Sequence, residues 1–392
     1  MKSLSSSKEE HFLGVVFLIA LFLPHTSTPL LLVNPLLCIV LSAYFAKIKK
    51  YRKDAVKYML IGSIAISLLL NFVLGAASSK SVLATCNLLL MLSFFPFVSD
   101  VRIRNVYIYI ALTYIVVSQV TMFIHIPAVS DFYEIVYPIS EESMGYYQYV
   151  LDSVTSDSIS GFRLAGLFRN PNQCSKYVTL ITAVFLLDSN TSLKKSLPFL
   201  GCAAMSVLMT GSRTGLVVFM GIVFISLLLN DTVSKATKSR SLFILFALFI
   251  IMLINASDFR GLKVGEGMND SANAKFGAIS DYLSQNVETM GLLFGHLDQY
   301  LFVASNSKIH SSIDCEYGYM IFNYGIVGFI FYILFFCTLF KKFSKYECLI
   351  FVPMLWIISA SMLMSFRSLF LYMILLSKYY IRSKKKKYGY MQ

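Results

Sequence analysis

Charge is what this chain has least of. Only 14% of its 392 residues are Asp, Glu, Lys or Arg, against roughly 25% in soluble domains. A water-soluble fold of this length could not cover its surface with so few charges, so the two or three soluble domains that the length suggests are excluded. Tryptophan occurs once. The seven Cys form no C-x-x-C pair, and His25, His125 and His296 have no ligand spacing among them, which argues against a structural or catalytic metal and leaves no cofactor expected. No G-x-x-x-x-G-K-[ST] loop occurs, so ATP-driven transport has no support. There is no internal repeat, Pro-rich tract or low-complexity linker. No small-residue cleavage pattern follows the first apolar run, Phe12 to Leu23, so it reads as a membrane span and not as a leader.

Apolar residues fill that space. They make up 57% of the chain, with 33 Phe and 24 Tyr, and mean hydropathy is +0.68. About 20 apolar residues are needed to cross roughly 30 Å of hydrocarbon as a helix. Twelve segments qualify, near 10–25, 29–46, 57–76, 81–98, 106–126, 174–188, 196–211, 214–230, 241–257, 317–340, 347–364 and 367–382. The expected fold is therefore an all-α, polytopic helical bundle of about 12 transmembrane helices.

The net charge of +13 invites a nucleic-acid reading until the charges are located. With both termini cytoplasmic, the inner segments hold 24 of the 34 basic residues and 7 of the 21 acids. Every short inner loop is then basic, from the Lys47–Lys57 run to Lys384–Lys387. The basic balance is a topogenic signal, and nucleic acid drops out as a partner. The organisation follows: a five-span region over 1–126, a first long outer loop over 127–173 and a four-span region over 174–257. A second long outer loop covers 258–316, and three spans with a basic tail cover 317–392. Loops this long are functional or disordered, and weakly amphipathic stretches at Tyr146–Val154 and Glu288–Val303 predict short helices on the membrane face or capping a cavity.

Three polar clusters stand out, all on the outer side under a topology derived without them. The first runs from Gly161 to Asn172 as Gly-Phe-Arg-Leu-Ala-Gly-Leu-Phe-Arg-Asn-Pro-Asn. Its Arg163 and Arg169 suit an anion such as diphosphate, or equally lipid headgroups at a loop-to-helix junction. Asn170-Pro171-Asn172 reads as a helix start. The second is Thr210-Gly211-Ser212-Arg213-Thr214-Gly215. An arginine near the apolar region faces a polar cavity or snorkels to the headgroups, and the three hydroxyls suit a guanidinium or a phosphate. Arg367, between the last two spans, is a parallel case. The third is His310-Ser311-Ser312-Ile313-Asp314-Cys315-Glu316, leading into Tyr324-Gly325-Ile326-Val327-Gly328. His310 and Asp314 are candidate general bases; Asp314 and Glu316 also suit a helix amino end on dipole grounds alone. Cys174 and Cys315 both fall near the outer face, within reach of an oxidising compartment.

These clusters resemble those of the bacterial O-antigen polymerase and O-antigen ligase superfamily. Arg163 to Asn172 is similar to its R-x-x-G-x-F-x-N-P-N stretch, Thr210 to Gly215 to its T-G-S-R-[TS]-G turn, and His310 to Gly328 to its H- or D-bearing segment before a Y-G-I-[IV]-G helix. The resemblance spans about 161–330; the first five spans resemble the family only in hydropathy and number. It implies a GT-C-like inner-membrane glycosyltransferase using an undecaprenyl-diphosphate-linked oligosaccharide, without nucleotide sugar or obligatory metal. A polymerase moves the growing glycan onto a new lipid-linked repeat unit, and a ligase moves it onto lipid A-core. Asp314-Cys315-Glu316-Tyr317 leans towards the polymerase, and Ser311 after His310 departs from the ligase's H-N-x-[YL] pattern. In the roles so implied, Arg213, His310 and Asp314 are catalytic. Arg163, Arg169, Asn172, Ser212, Glu316 and Arg367 bind substrate, and Tyr146, Tyr147 and Tyr149 stack on sugars or sit at the interface. A flippase and a chain-length regulator of the same pathway are the implied protein partners. A flippase or other transporter is the reading from a different class, disfavoured by rim-located charges and the missing repeat.

Overall fold

The computed structural model describes residues 2–22, 36–37, 39–41, 43–44, 55–75, 77–94, 103–124, 164–166, 168, 171–187, 193–229, 234, 236, 239–240, 289–297, 316–339, 352–358 and 368–376. Among these the chain is mostly helical, with no strand. The principal helices are α1 (Lys2–Phe22), α2 (Ala55–Val73), α3 (Ser79–Phe94), α4 (Asn105–Ile124) and α5 (Pro171–Leu186). They continue with α6 (Leu193–Met209), α7 (Arg213–Leu229), α8 (Thr289–Phe294) and α9 (Glu316–Leu339), before a 3₁₀ turn at Leu355–Ile358. Seven of the expected spans thus coincide with α1 to α7 within a few residues at most ends, and α9 covers the tenth. The expected span 241–257 lies outside the described residues. Two helices, Ala55–Val73 and Glu316–Thr338, are long and apolar enough to cross a membrane; four more apolar helices are shorter.

Two groups of helices form the body. In one, α5 packs on α4, α6 and α7, and α4 packs on α1. In the other, α2 packs on α3, α8 and α9. The 3₁₀ turn touches both α7 and α9 and carries the chain's one tryptophan. Trp356 is fully buried, and its Nε1–H donates to Thr179 Oγ1 on α5 at 2.8 Å. Residues 368–376 are all buried.

Polar groups are kept to the buried faces of the helices, among a mostly apolar interior, while large apolar side chains are exposed. On α2 the buried face carries Lys57, Ser63, Ser67 and Asn71, while Ile66, Leu69, Phe72 and Val73 are exposed. Val73 is 81% exposed. On α4, Ser118 and Gln119 are buried, while Val106, Ile110, Val117 and Ile124 face outwards. The buried polar groups of α2 and α4 find local uses. Lys57 Nζ donates to the Ser93 carbonyl at 2.7 Å, closing an orphan acceptor at the end of α3.

The ninth helix is broken. Gly325 sits at φ 67°, ψ −173° inside α9, dividing it into halves 316–324 and 326–339. Glu316, at the start of the first half, interacts with the Tyr332 phenol in the second. About 24 Å would separate that pair along a straight helix, so the halves bend towards each other. The bend seats α8, which falls inside the stretch where the sequence predicts a short helix. Here it is wedged against α2 and α9. A Cβ on Gly325 would lie 2.3 Å from the Leu293 carbonyl oxygen, and one on Gly295 (φ 77°) 2.5 Å from that of Asn323. Backbone thus meets backbone, and α2 supplies the missing hydrogen bonds. Ser67 Oγ donates to the Asn323 carbonyl at 3.0 Å and also contacts the Phe294 carbonyl. Asn71 donates to the Gly295 carbonyl at 3.2 Å and accepts from Leu297 N–H at 3.2 Å. The His296 N–H closes the set by donating to the Phe322 carbonyl at 2.8 Å.

Candidate functional site

The Thr210–Gly215 turn is a tight corner between α6 and α7. Gly211, at φ 57°, ends α6 in the left-handed conformation, and its N–H returns to the Leu208 carbonyl at 3.0 Å. Thr210 Oγ1 donates to the Val207 carbonyl at 2.6 Å and accepts from Ser212 N–H at 3.3 Å. Ser212 caps α7, its Oγ accepting from Gly215 N–H at 3.2 Å. The same hydroxyl donates to Asn172 Oδ1 at 2.9 Å, which ties the amino ends of α5 and α7 together. Gly215 permits the approach: a Cβ there would fall 1.7 Å from Ser175 Oγ and 2.7 Å from Ser175 Cβ.

Electrostatically this corner is unusual. Two helix amino ends, each carrying partial positive charge, lie side by side. Arg213 occupies the first position of α7, and no acidic residue lies in the first turn of either helix. A cation at a helix amino end opposes the dipole. Ordered N–H groups and a guanidinium together form a site for an anion.

The loop that carries the first cluster is pinned beside this corner. Leu164 N–H donates to the Met209 carbonyl at 2.8 Å. Gln119, fully buried on α4, holds the rest: its Nε2 donates to the Leu164 carbonyl at 3.0 Å and the Ser206 carbonyl at 3.1 Å. Its Oε1 accepts from Ser206 Oγ at 2.6 Å. Gly166, at φ 57°, lies against Ser118 Oγ, where a Cβ would come within 2.4 Å. Phe168 packs on Tyr177 with ring centroids 4.9 Å apart. Leu164, Gly166 and Phe168 are therefore anchored against α4, α5 and α6.

Of the residues singled out from the sequence, the structure brings together Asn172, Ser212 and Arg213. Asn172 and Ser212 serve as a clamp between helices, and Arg213, half-buried, stands beside them at the first position of α7. Glu316 is buried to 1% exposure at the head of α9, beside Tyr332. Arg163, Arg169, His310, Asp314 and Arg367 lie outside the described residues, as do Tyr146, Tyr147, Tyr149 and Cys315. Cys174 is a buried free thiol 3.5 Å from Gln119 Nε2.

Sequence reasoning passed over Gln119 and Lys176. Gln119 sits in an apolar run, Thr113 to Ile124, where one amide gives no pattern. Lys176 is wholly buried on α5 with its ammonium 5.0 Å from the Tyr177 ring centroid. A lysine five residues after a helix start reads from sequence as a rim charge; its burial was the signal that only coordinates carry. Compared with family models, curated proteins and solved structures, the chain matches none.

Proposed function

We propose that the chain is a multi-pass inner-membrane glycosyltransferase of the O-antigen polymerase kind, with the twelve spans expected from its hydropathy and the GT-C-like fold that the family resemblance implies. Its donor is an undecaprenyl-diphosphate-linked glycan, transferred at the periplasmic face onto a new lipid-linked repeat unit. The single observation that carries this reading is the cationic corner. Arg213 stands at two joined helix amino ends with no acid in either first turn, beside the pinned loop that bears Arg163 and Arg169. The exposed apolar faces of α2 and α4, with their polar groups turned to the buried side, support a lipid-facing body.

In this mechanism an acceptor hydroxyl oxygen attacks the anomeric carbon, the sugar–phosphate bond breaks, and the lipid diphosphate leaves with the electron pair. Arg213, with Arg163 and Arg169, offsets the charge that develops on the diphosphate. Asp314 or His310 takes the acceptor proton. Arg213→Ala, with expression verified, is expected to abolish long-chain surface polysaccharide while a single repeat unit still reaches lipid A-core. A normal ladder would overturn the mechanism. Bare core with lipid-linked polymer would identify a ligase instead, and repeat units trapped on the inner leaflet a flippase.

A further inference from the structure

A fully buried lysine is rare, and Lys176 belongs to a polar stripe that the proposed mechanism does not use. Asn172, Ser175, Lys176 and Thr179 recur at helical spacing and share one face of α5. Their contacts show where that face looks. Asn172 bonds Ser212, Ser175 abuts Gly215, and Thr179 accepts from Trp356. The stripe therefore runs down from the amino end of α7. Helical side chains lean towards their own amino end, so Lys176, about one turn below Asn172, leans towards the corner from beneath it. Its ammonium lies 5.0 Å from the Tyr177 ring, which packs on Phe168, the residue before Arg169. The cation thus lies beside the Tyr177–Phe168 pair, next to the stretch of the first cluster, on the helix whose neighbouring Ser175 meets α7. A second observation points the same way: Ser175 Oγ is fully buried, has no hydrogen-bond partner among the described residues, and abuts the first turn of α7.

We propose that Lys176 and Ser175 form the floor of the anion site, below Arg213, and bind the phosphate of a polyprenyl diphosphate that is bonded to the lipid. Depth assigns the phosphate. Lys176 is four residues below Asn172, about 6 Å along the helix, and a lipid-linked diphosphate enters with its lipid-bonded phosphate deeper than its sugar-bonded one. An ammonium on a flexible stem suits such a point contact, while the arginines fork onto the outer phosphate.

The inference rests on the lipid-diphosphate reading above, and one experiment separates their fates. The full chain in detergent is titrated with undecaprenyl diphosphate and with undecaprenol, and binding is followed by the shift in melting midpoint. Wild type should bind the diphosphate far better than the alcohol; equal binding would sink both the polymerase reading and this one. Lys176→Met should weaken diphosphate binding about tenfold, and Lys176→Arg should stay within about threefold of wild type. Wild-type affinity in Lys176→Met would overturn the floor while leaving the polymerase reading standing. Should Lys176→Met not fold, Ser175→Ala decides: about threefold weaker binding supports the assignment, and unchanged binding overturns it.

Discussion

Gln119 uses both ends of its amide to hold three segments, α4, α6 and the loop at Leu164, in one place. Replacing it with Leu keeps the approximate volume but leaves two buried carbonyls and a hydroxyl without that partner. The expected cost is about 2–4 kcal/mol, read as a fall in melting midpoint of the purified chain. A change of less than a degree would mean that the three segments are held by other contacts. Gly215 offers a cleaner test of the corner. Gly215→Ala drives a methyl into Ser175, whose Cβ would lie 2.7 Å away, so rotating the hydroxyl does not relieve it. Overpacking of this kind costs about 1–3 kcal/mol. Adding Ser175→Gly should recover most of that loss, and a double variant no more stable than the single one would show that the clash lies elsewhere.

Among the elements, α9 departs most from expectation. Its sequence from Glu316 to Leu339 reads as one continuous apolar helix, and hydropathy has no means of marking a break within it. In the sequence Gly325 is legible only as part of the Tyr324–Gly328 stretch within that helix. What makes it a bend is the approach of α8, whose backbone occupies the place a Cβ would need. Gly325→Ala should destabilise by more than about 2 kcal/mol, since it adds both a strained φ and a backbone clash. The seat of α8 is separately testable. Replacing Ser67 and Asn71 together with Ala should speed hydrogen exchange across 289–297 at least tenfold and leave α5 to α7 unchanged. Uniform acceleration along the chain would mean that α8 is not an independently held unit. Helix positions themselves were well marked in the sequence: Pro171 opens α5, Gly211 closes α6, and Ser212 opens α7 as good capping chemistry requires.

For the whole molecule, the proposed topology puts the amino ends of α5, α7 and α9 on one side and the basic loops on the other. A cysteine at Arg213 should react with a membrane-impermeant maleimide in intact spheroplasts, whereas one at Ser234 or Ser239 should react only after permeabilisation. The reverse pattern would invert the orientation and remove the periplasmic site. The Arg104–Glu10 ion pair, at 3.8 Å, fits this frame, because it joins the residue before α4 to α1 at the start of the proposed first span, on the inner face.

Composition alone marked this chain as apolar and, in the lipid environment proposed for it, as helical, because backbone groups without water are most simply satisfied within a helix. The order of residues determined where the helices start and stop, since caps, glycines and prolines act within a few residues. Only the tertiary structure decided which polar groups face one another: the Asn172–Ser212 clamp, the Gln119 hub, the buried Lys176 and the bend at Gly325. Each joins segments tens to hundreds of residues apart, and local propensity carries no information about which distant backbone will arrive to meet a side chain.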